Sequence, residues 1–219
     1  MSKPICLLIG MGPGISYSTA KLFGEKGFKV LMVARNAIKL KEYVQEFENI
    51  DIDTEGFSAD ASDFKNLNEC LAGIKKAKGI PDVLVYNVSV YREASPSSLS
   101  ADIAVEDFKA NVGGALVAVQ SFIDGMKERK RGVIFLTGGG QGLEPMHILS
   151  SLGIGKAAMR NLSFSLYKEL KPFNIRVATI TVNGMVEKNT SFDPDIIAEK
   201  YWQLYNTPVI DFKRELVIN

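Results

Sequence analysis

The segment Gly10-Met11-Gly12-Pro13-Gly14-Ile15-Ser16 restricts the folds open to this 219-residue chain more than any other. Before it runs Pro4 to Gly10, a continuous apolar stretch of strand length closed by glycine. After it, Ser16 to Lys26 carries Tyr17, Ala20, Leu22 and Phe23 at helical spacing and stops at Gly27. A helix that starts straight after a buried strand presents its first, unpaired N–H groups at the strand's carboxyl end. Gly10 suits the tight turn, and Gly12 or Gly14 lets the backbone approach a pyrophosphate with no Cβ in the way. Pro13 and Ile15 complete the loop. A plain tight turn is the alternative; the position between strand and helix favours phosphate binding.

Strand-like and helical stretches alternate along the rest of the chain. Phe28 to Ala34, Ile52 to Ala59, Val83 to Tyr86, Gly132 to Thr137 and Ile175 to Val182 read as strands, with Glu215 to Ile218 as a last one. Ile38 to Phe47, Phe64 to Ala77, Ser150 to Leu170 and Ile196 to Tyr205 read as helices. Between them, Leu99 to Gly113 and Ala115 to Lys130 form two helices, or one helix broken at Gly113-Gly114. Parallel strands need crossover connections, and helices supply them here. The order therefore predicts an α/β fold, a doubly wound, Rossmann-like parallel sheet of about seven strands with helices on both faces. No linker-like stretch divides residues 1–219, so one domain is expected, with residues 185–208 as a short substrate-side tail segment. Its aromatic run Tyr201-Trp202-Gln203-Leu204-Tyr205 suits a core, a substrate cover or a subunit contact.

Composition excludes several functions. Lys and Arg number 26 against 25 Asp and Glu, and a net charge of +1 gives no field for nucleic acid or anionic lipid. The apolar run Ile5 to Ile9 is far short of a signal or membrane-spanning segment, so a cytoplasmic protein with no membrane partner is expected. Cys6, Cys70 and the single His147 have no metal-ligand spacing, so free thiols and no metal are expected. No G-x-S-x-G elbow appears. A small molecule is the partner that remains.

The second strand ends at Ala34-Arg35-Asn36, about twenty residues past Gly14, where NAD-binding chains place an acidic residue on the ribose. Ala34 offers no carboxylate, whereas Arg35 offers charge-assisted bonds to a 2′-phosphate, with Lys39 one helical turn further on. NADP(H) is therefore favoured over NAD(H). The alternative for Arg35 and Lys39 is a solvated helix start.

Taken in order, these motifs resemble the short-chain dehydrogenase/reductase family over nearly the whole chain. GMGPGIS resembles its T-G-x-x-x-G-I-G turn, with Ser16 in place of the last glycine. Ala59-Asp60-Ala61 resembles the segment after the third strand whose aspartate contacts the adenine, and Tyr86-Asn87-Val88-Ser89 is similar to the N-N-A-G signature after the fourth. Val182-Asn183-Gly184 resembles the P-G turn after the sixth, with Asn183 in place of proline. The resemblance implies cofactor contacts at Asp60, Ala61, Asn87, Val88 and Gly184. It also implies a homodimer or homotetramer built on the helices at Ala115 to Lys130 and Ser150 to Leu170.

The same resemblance aligns Asn111 with the family's helix asparagine and Lys156 with the lysine of Y-x-x-x-K. Lys156 is then expected to bond the nicotinamide ribose as well as serve catalysis. The two remaining catalytic positions fall on Leu152, where the tyrosine should be, and Gly139, where the serine should be. Leucine donates no proton and glycine has no side chain, so the usual general acid and carbonyl-holding hydroxyl are missing. His147 is the stand-in acid with the most suitable chemistry. Thr137, Ser150, Ser151, Tyr91 or a water activated by Lys156 are further donors, and Ser150 suits a helix N-cap equally well. The reading is an atypical hydride-transferring oxidoreductase acting on a small carbonyl or alcohol. Its alternative is a non-catalytic NADP(H)-binding sensor or scaffold.

Overall fold

The computed structural model describes residues 3–219. Fourteen regular elements follow the predicted order: β1 (Ile5–Ile9), α1 (Ile15–Glu25), β2 (Lys29–Ala34), α2 (Ala37–Glu48), β3 (Thr54–Ser58), α3 (Phe64–Lys78), β4 (Val83–Tyr86), α4 (Ala101–Phe108), α5 (Gly114–Arg129), β5 (Gly132–Gly139), α6 (Ser150–Leu170), β6 (Ile175–Val182), α7 (Pro194–Asn206) and β7 (Glu215–Ile218). The strands pair in the order β3-β2-β1-β4-β5-β6-β7, and every pairing is parallel.

Both faces of the sheet are covered, which is why its strands read as unbroken apolar runs. Cys6 and Leu8 of β1, with Val30 and Met32 of β2, pack against Phe23, Phe47 and Tyr201 beneath α1, α2 and α7. Leu7, Ile9, Leu31 and Val33 point the other way, onto Leu71, Phe122 and Met159 of α3, α5 and α6. From β1 the chain winds outward to β2 and β3, then returns to β4 on the other side. The two halves part at the carboxyl ends of β1 and β4, the switch point at which such sheets open a crevice. Among the described residues, no helix is long and apolar enough to cross a membrane.

Three features depart from the sequence expectations. Between α4 and α5 the helix is neither split nor simply broken. Lys109–Gly113 form a π-helical turn, and the chain passes through it without leaving the helical path. The Tyr86 hydroxyl donates to the Ala110 carbonyl there, and a Cβ on Gly114 would lie 2.5 Å from the Ala61 carbonyl oxygen. The wide turn and the glycine let the helix seat against β4 and the segment after β3. Second, β5 continues past Thr137, with Gly138 and Gly139 pairing to Thr181 and Val182 of β6.

Third, the tail segment 185–208 divides. Residues 184–193 stay at the carboxyl edge of the sheet, but α7 runs along α1, away from the substrate side. Trp202 stacks on Tyr205 at 5.4 Å and meets the edges of Phe23 and Phe28. Aromatic packing therefore places α7 in the core layer beside α1 rather than over the site.

Candidate cofactor and active site

The carboxyl ends of β1, β2 and β4 enclose a cavity of about 210 Å³ whose lining includes Gly10, Arg35, Asp60, Ala61, Asn87 and Val88. Gly10 has φ 94°, and a Cβ there would sit 2.6 Å from the Asn87 carbonyl oxygen, so the turn requires glycine. Ser16, at the position expected to be glycine, locks the turn: its hydroxyl donates to the Gly10 carbonyl at 2.8 Å and accepts from Asn87 Nδ2 at 2.7 Å. Gly14 begins α1 with φ 87°, and no side chain caps the helix, so its first N–H groups are left for a ligand. Gly12, Pro13 and Asn36 line an adjoining hollow that shares Met11 and Ala34 with the cavity. Nothing lies within 4 Å of a Cβ built on Gly12, so the backbone there is open to close approach.

Arg35 is largely exposed and lies 3.9 Å from the Asp60 carboxylate. Asp60 accepts from both the N–H and the hydroxyl of Ser62, at 2.8 and 2.7 Å. Partial burial raises its pKa, but the Ser62 bonds and Arg35 outweigh that and hold the carboxyl below its usual range. Asn36 spends its side-chain oxygen on α2, accepting from Ile38 and Lys39 N–H. Gly184 is not part of this cavity: the Phe192 ring covers the place a side chain would take. Asn183 donates its backbone N–H to Ile218 at 2.9 Å, a bond that proline could not make.

Lys156 projects from α6 towards the end of β5. Its Nζ donates to the Thr137 carbonyl at 2.9 Å, and burial pushes its pKa down to about 8. Leu152, one turn earlier on the same face, is buried. A Cβ on Gly139 would lie 3.3 Å from Lys156 Cγ and Cε and 3.2 Å from Gln141 Oε1. The lysine stem and the Gln141 carboxamide therefore border the space that a side chain at 139 would fill. Asn111 sits inside the π-helical turn, accepts from Val90 N–H at 2.7 Å, and leaves its buried Nδ2 without a hydrogen bond.

A family model described as short chain dehydrogenase matches residues 4–195. This chain belongs to the short-chain dehydrogenase family. The very-long-chain 3-oxoacyl-CoA reductase of Coccidioides immitis is 30% identical over 182 residues, covering 80% of this chain and 51% of that protein. The 2,3-dihydro-2,3-dihydroxybenzoate dehydrogenase of Bacillus subtilis is 28% identical over 172 residues, covering 78% of this chain and 66% of the other. The chain spans about half the length of the first curated relatives it matches. In fold it is similar to a metagenomic short-chain oxidoreductase solved in complex with NADP, with a TM-score of 0.90 at 22% identity over 98% of this chain and 96% of that one.

In this chain most of the replacement donors named from sequence are engaged elsewhere. Thr137 pairs its hydroxyl with the buried Tyr201 at 2.7 Å, on the α1–α7 side of the sheet. Ser150 is not the cap of α6; Leu149 holds that position, and the Ser150 hydroxyl donates to the Ala94 carbonyl at 2.7 Å. Ser151 donates to Asp107 at 2.6 Å. Tyr91 stands exposed in the loop after β4. His147 lies in the loop before α6 and lines a largely apolar hollow with Leu99, Gln141, Met146, Ile154 and Ala157. Lys156 is the member of the expected set that stays at the 139–152 gap, and Gln141 joins it. Among the described residues, no group of three or more His, Cys, Asp or Glu could hold a metal ion.

The sequence reading also missed a buried ion pair. Asp107 is 2% exposed and takes both Nε and Nη2 of Arg92, at 2.9 and 3.0 Å, besides the Ser151 hydroxyl. The Arg92 bonds hold its carboxyl below the ordinary range, against the effect of burial, and the Ser151 bond adds to them. This network ties the loop after β4 and the start of α6 to α4, and so sets the position of Leu152. Asp107→Ala strands the buried Ser151 hydroxyl and is expected to cost about 1–3 kcal/mol in urea unfolding. Arg92→Ala is expected to cost more, because it leaves a buried carboxylate with one partner. Since the folded pKa of Asp107 is depressed, its contribution is complete above the unfolded pKa and disappears as pH falls through the folded one. The stability gap between wild type and Arg92→Ala should therefore close in acid; a constant gap would remove Asp107 from the account.

Proposed function

We propose that this chain binds NADP(H) and transfers hydride to or from a small carbonyl or alcohol without the usual serine and tyrosine. The observation that carries the reading is the cavity at the β1/β4 switch point, which gathers Gly10, Arg35, Asp60, Ala61, Asn87 and Val88 beside the uncapped start of α1. The lining chemistry suits the cofactor: glycine backbone and helix N–H groups for the pyrophosphate, Ala61 and Val88 for the adenine, Asp60 as acceptor, Arg35 for a 2′-phosphate. When bound, the cofactor supplies or accepts the hydride.

The chain's own part is to hold the carbonyl oxygen and deliver a proton. Gln141 faces the Gly139 position with Oε1 while its Nε2 donates to Met146 Sδ at 3.9 Å, so a half-turn of the carboxamide brings its N–H to that oxygen. Lys156, with a pKa near 8, holds a proton within the same gap and passes it directly or through water. His147 takes no part in this scheme. A second reading, an NADP(H)-responsive protein without turnover, draws support from the apolar Leu152 and from Lys156 Nζ resting on Thr137. Self-association through the outward faces of α5 and α6, with Leu116 and Ile154 exposed, accompanies either reading.

Calorimetric titration with NADPH and NADH tests the cofactor assignment. NADPH is expected to bind tighter, and Arg35→Ala to erase that preference by about 10- to 100-fold, since hydrogen bonds to charged groups are worth roughly 1.5–3 kcal/mol each. Equal affinities in wild type would remove the 2′-phosphate role; binding of neither would end the proposal. A carbonyl panel with NADPH then separates the enzyme from the sensor.

A further inference from the structure

We propose that the mouth of this site selects neutral, apolar carbonyl compounds and disfavours anionic ones such as acyl-CoA thioesters. The inference rests on the oxidoreductase reading above and adds the substrate class. Its basis is a set of large apolar side chains left in water around the carboxyl ends of β4, β5 and β6, which are neighbours in the sheet. Tyr91 follows β4, Leu143, Met146 and Ile148 follow β5, and Met185 and Val186 follow β6. All are exposed, Met185 by 80% and Tyr91 by 67%.

The loops that carry them are held together. Ala94 N–H donates to the Ile148 carbonyl at 2.9 Å, and the Ser150 hydroxyl donates to the Ala94 carbonyl at 2.7 Å. Val186 lies 3.9 Å from a Cβ built on Gly14, which brings the third loop alongside the glycine turn. Apolar side chains gathered on three loops at one end of a sheet, beside a ligand cavity, mark a surface that gains by being covered.

Charge decides between apolar ligands. The three loops carry Glu93, Glu144, Glu187 and Asp193 against Lys188, while Arg92 is taken up by Asp107. Apart from Lys188 and His147, these loops offer no cationic side chain for the phosphates of a thioester's carrier, and several carboxylates repel them. Burial of an apolar body is rewarded here, and burial of an anion is not.

Calorimetry on the whole protein, with and without NADP⁺, tests this with 2-tetralone as the neutral probe and acetoacetyl-CoA as the anionic one. The ketone is expected to bind at least ~10-fold tighter than the thioester. Met185→Ser and Ile148→Ser, both on exposed side chains, should weaken the ketone by about 5- to 10-fold without moving the unfolding midpoint. Glu144→Lys with Glu187→Lys should improve thioester binding, most at low salt. A thioester that binds as well as the ketone, a ketone isotherm indifferent to both serine variants, or no binding of either probe overturns the proposal. The NADPH titration of wild type is scored separately. A rim-dependent ketone isotherm in a protein that ignores NADPH would refute the cofactor reading and leave the mouth standing. Normal NADPH binding with no ketone preference would do the reverse.

Discussion

Leu152→Tyr combined with Gly139→Ser is expected to raise kcat/KM for a neutral ketone by about 100- to 10,000-fold, the range that a positioned acid and one oxyanion donor supply. The backbone is arranged to accept both. The nearest atoms to a Cβ at 139 belong to the flexible Gln141 and Lys156 side chains, at 3.2–3.3 Å, so serine needs shifts of a few tenths of an ångström. Residue 152 stands one helical turn before Lys156, so a tyrosine hydroxyl reaches the neighbourhood of an ammonium whose pKa burial has lowered to about 8. Each single variant should gain less than its share, because acid and donor act as a unit. Initial rates of NADPH oxidation measure the effect, with His147→Ala as a control that leaves them unchanged. Intact NADPH affinity with no gain in rate would show that more than two side chains separates this site from that of an ordinary short-chain dehydrogenase. In that case the sensor reading takes over.

Gly10→Ala should be the most damaging small substitution in the glycine turn. The new Cβ would lie 2.6 Å from the Asn87 carbonyl oxygen and 2.9 Å from Val88 Cγ2, on a residue whose φ of 94° an L side chain rarely adopts. Strain and forced separation of β1 from the loop after β4 are expected to cost about 3–5 kcal/mol, read from the urea midpoint. Gly12→Ala supplies the contrast. No atom lies within 4 Å of its Cβ, so stability should stay within about 0.5 kcal/mol of wild type, while NADPH affinity falls tenfold or more. In that pair, one glycine answers to the fold and the other to the ligand. If Gly12→Ala binds NADPH normally, the pyrophosphate does not pass over that residue.

Much of the architecture is local enough to read from the chain. The bounds of β4, α6, β6 and β7 coincide with those expected from apolar runs and helical spacing. Strands covered on both faces show their burial as continuous hydrophobicity, whereas the caps Asn36, Asp63 and Ser100, whose side chains accept from the N–H groups that follow them, went unread, and the helix expected from Leu99 begins at Ala101. That the strand-end residues line one cavity was legible too. Gly10, Arg35, Asp60 and Asn87 stand at strand ends, and a parallel sheet brings strand ends together.

Where the reading stopped, distant residues were in control. The π-helical turn depends on Tyr86 and Ala61 meeting Ala110 and Gly114, and no helical period records such a meeting. Asp107 looks like any acid on a surface helix until Arg92 and Ser151 fold around it. Thr137, Ser150 and Ser151 are plausible donors in a list, but their hydrogen bonds to Tyr201, Ala94 and Asp107 are decided by three-dimensional neighbours. Gln141 drew no notice because it belongs to no motif; its interest lies in bordering an empty side-chain position.

By itself, then, the sequence determined the order of elements, the doubly wound sheet and the glycine-rich turn between β1 and α1, since each is written in contiguous residues. Tertiary structure alone decided that α7 lies beside α1, that Lys156 is desolvated with Nζ on Thr137, and that Gln141 borders the gap at Gly139. The physical reason is that periodicity and turn chemistry act over a few residues. Burial, desolvation and steric vacancy depend on what the rest of the chain brings to the same place.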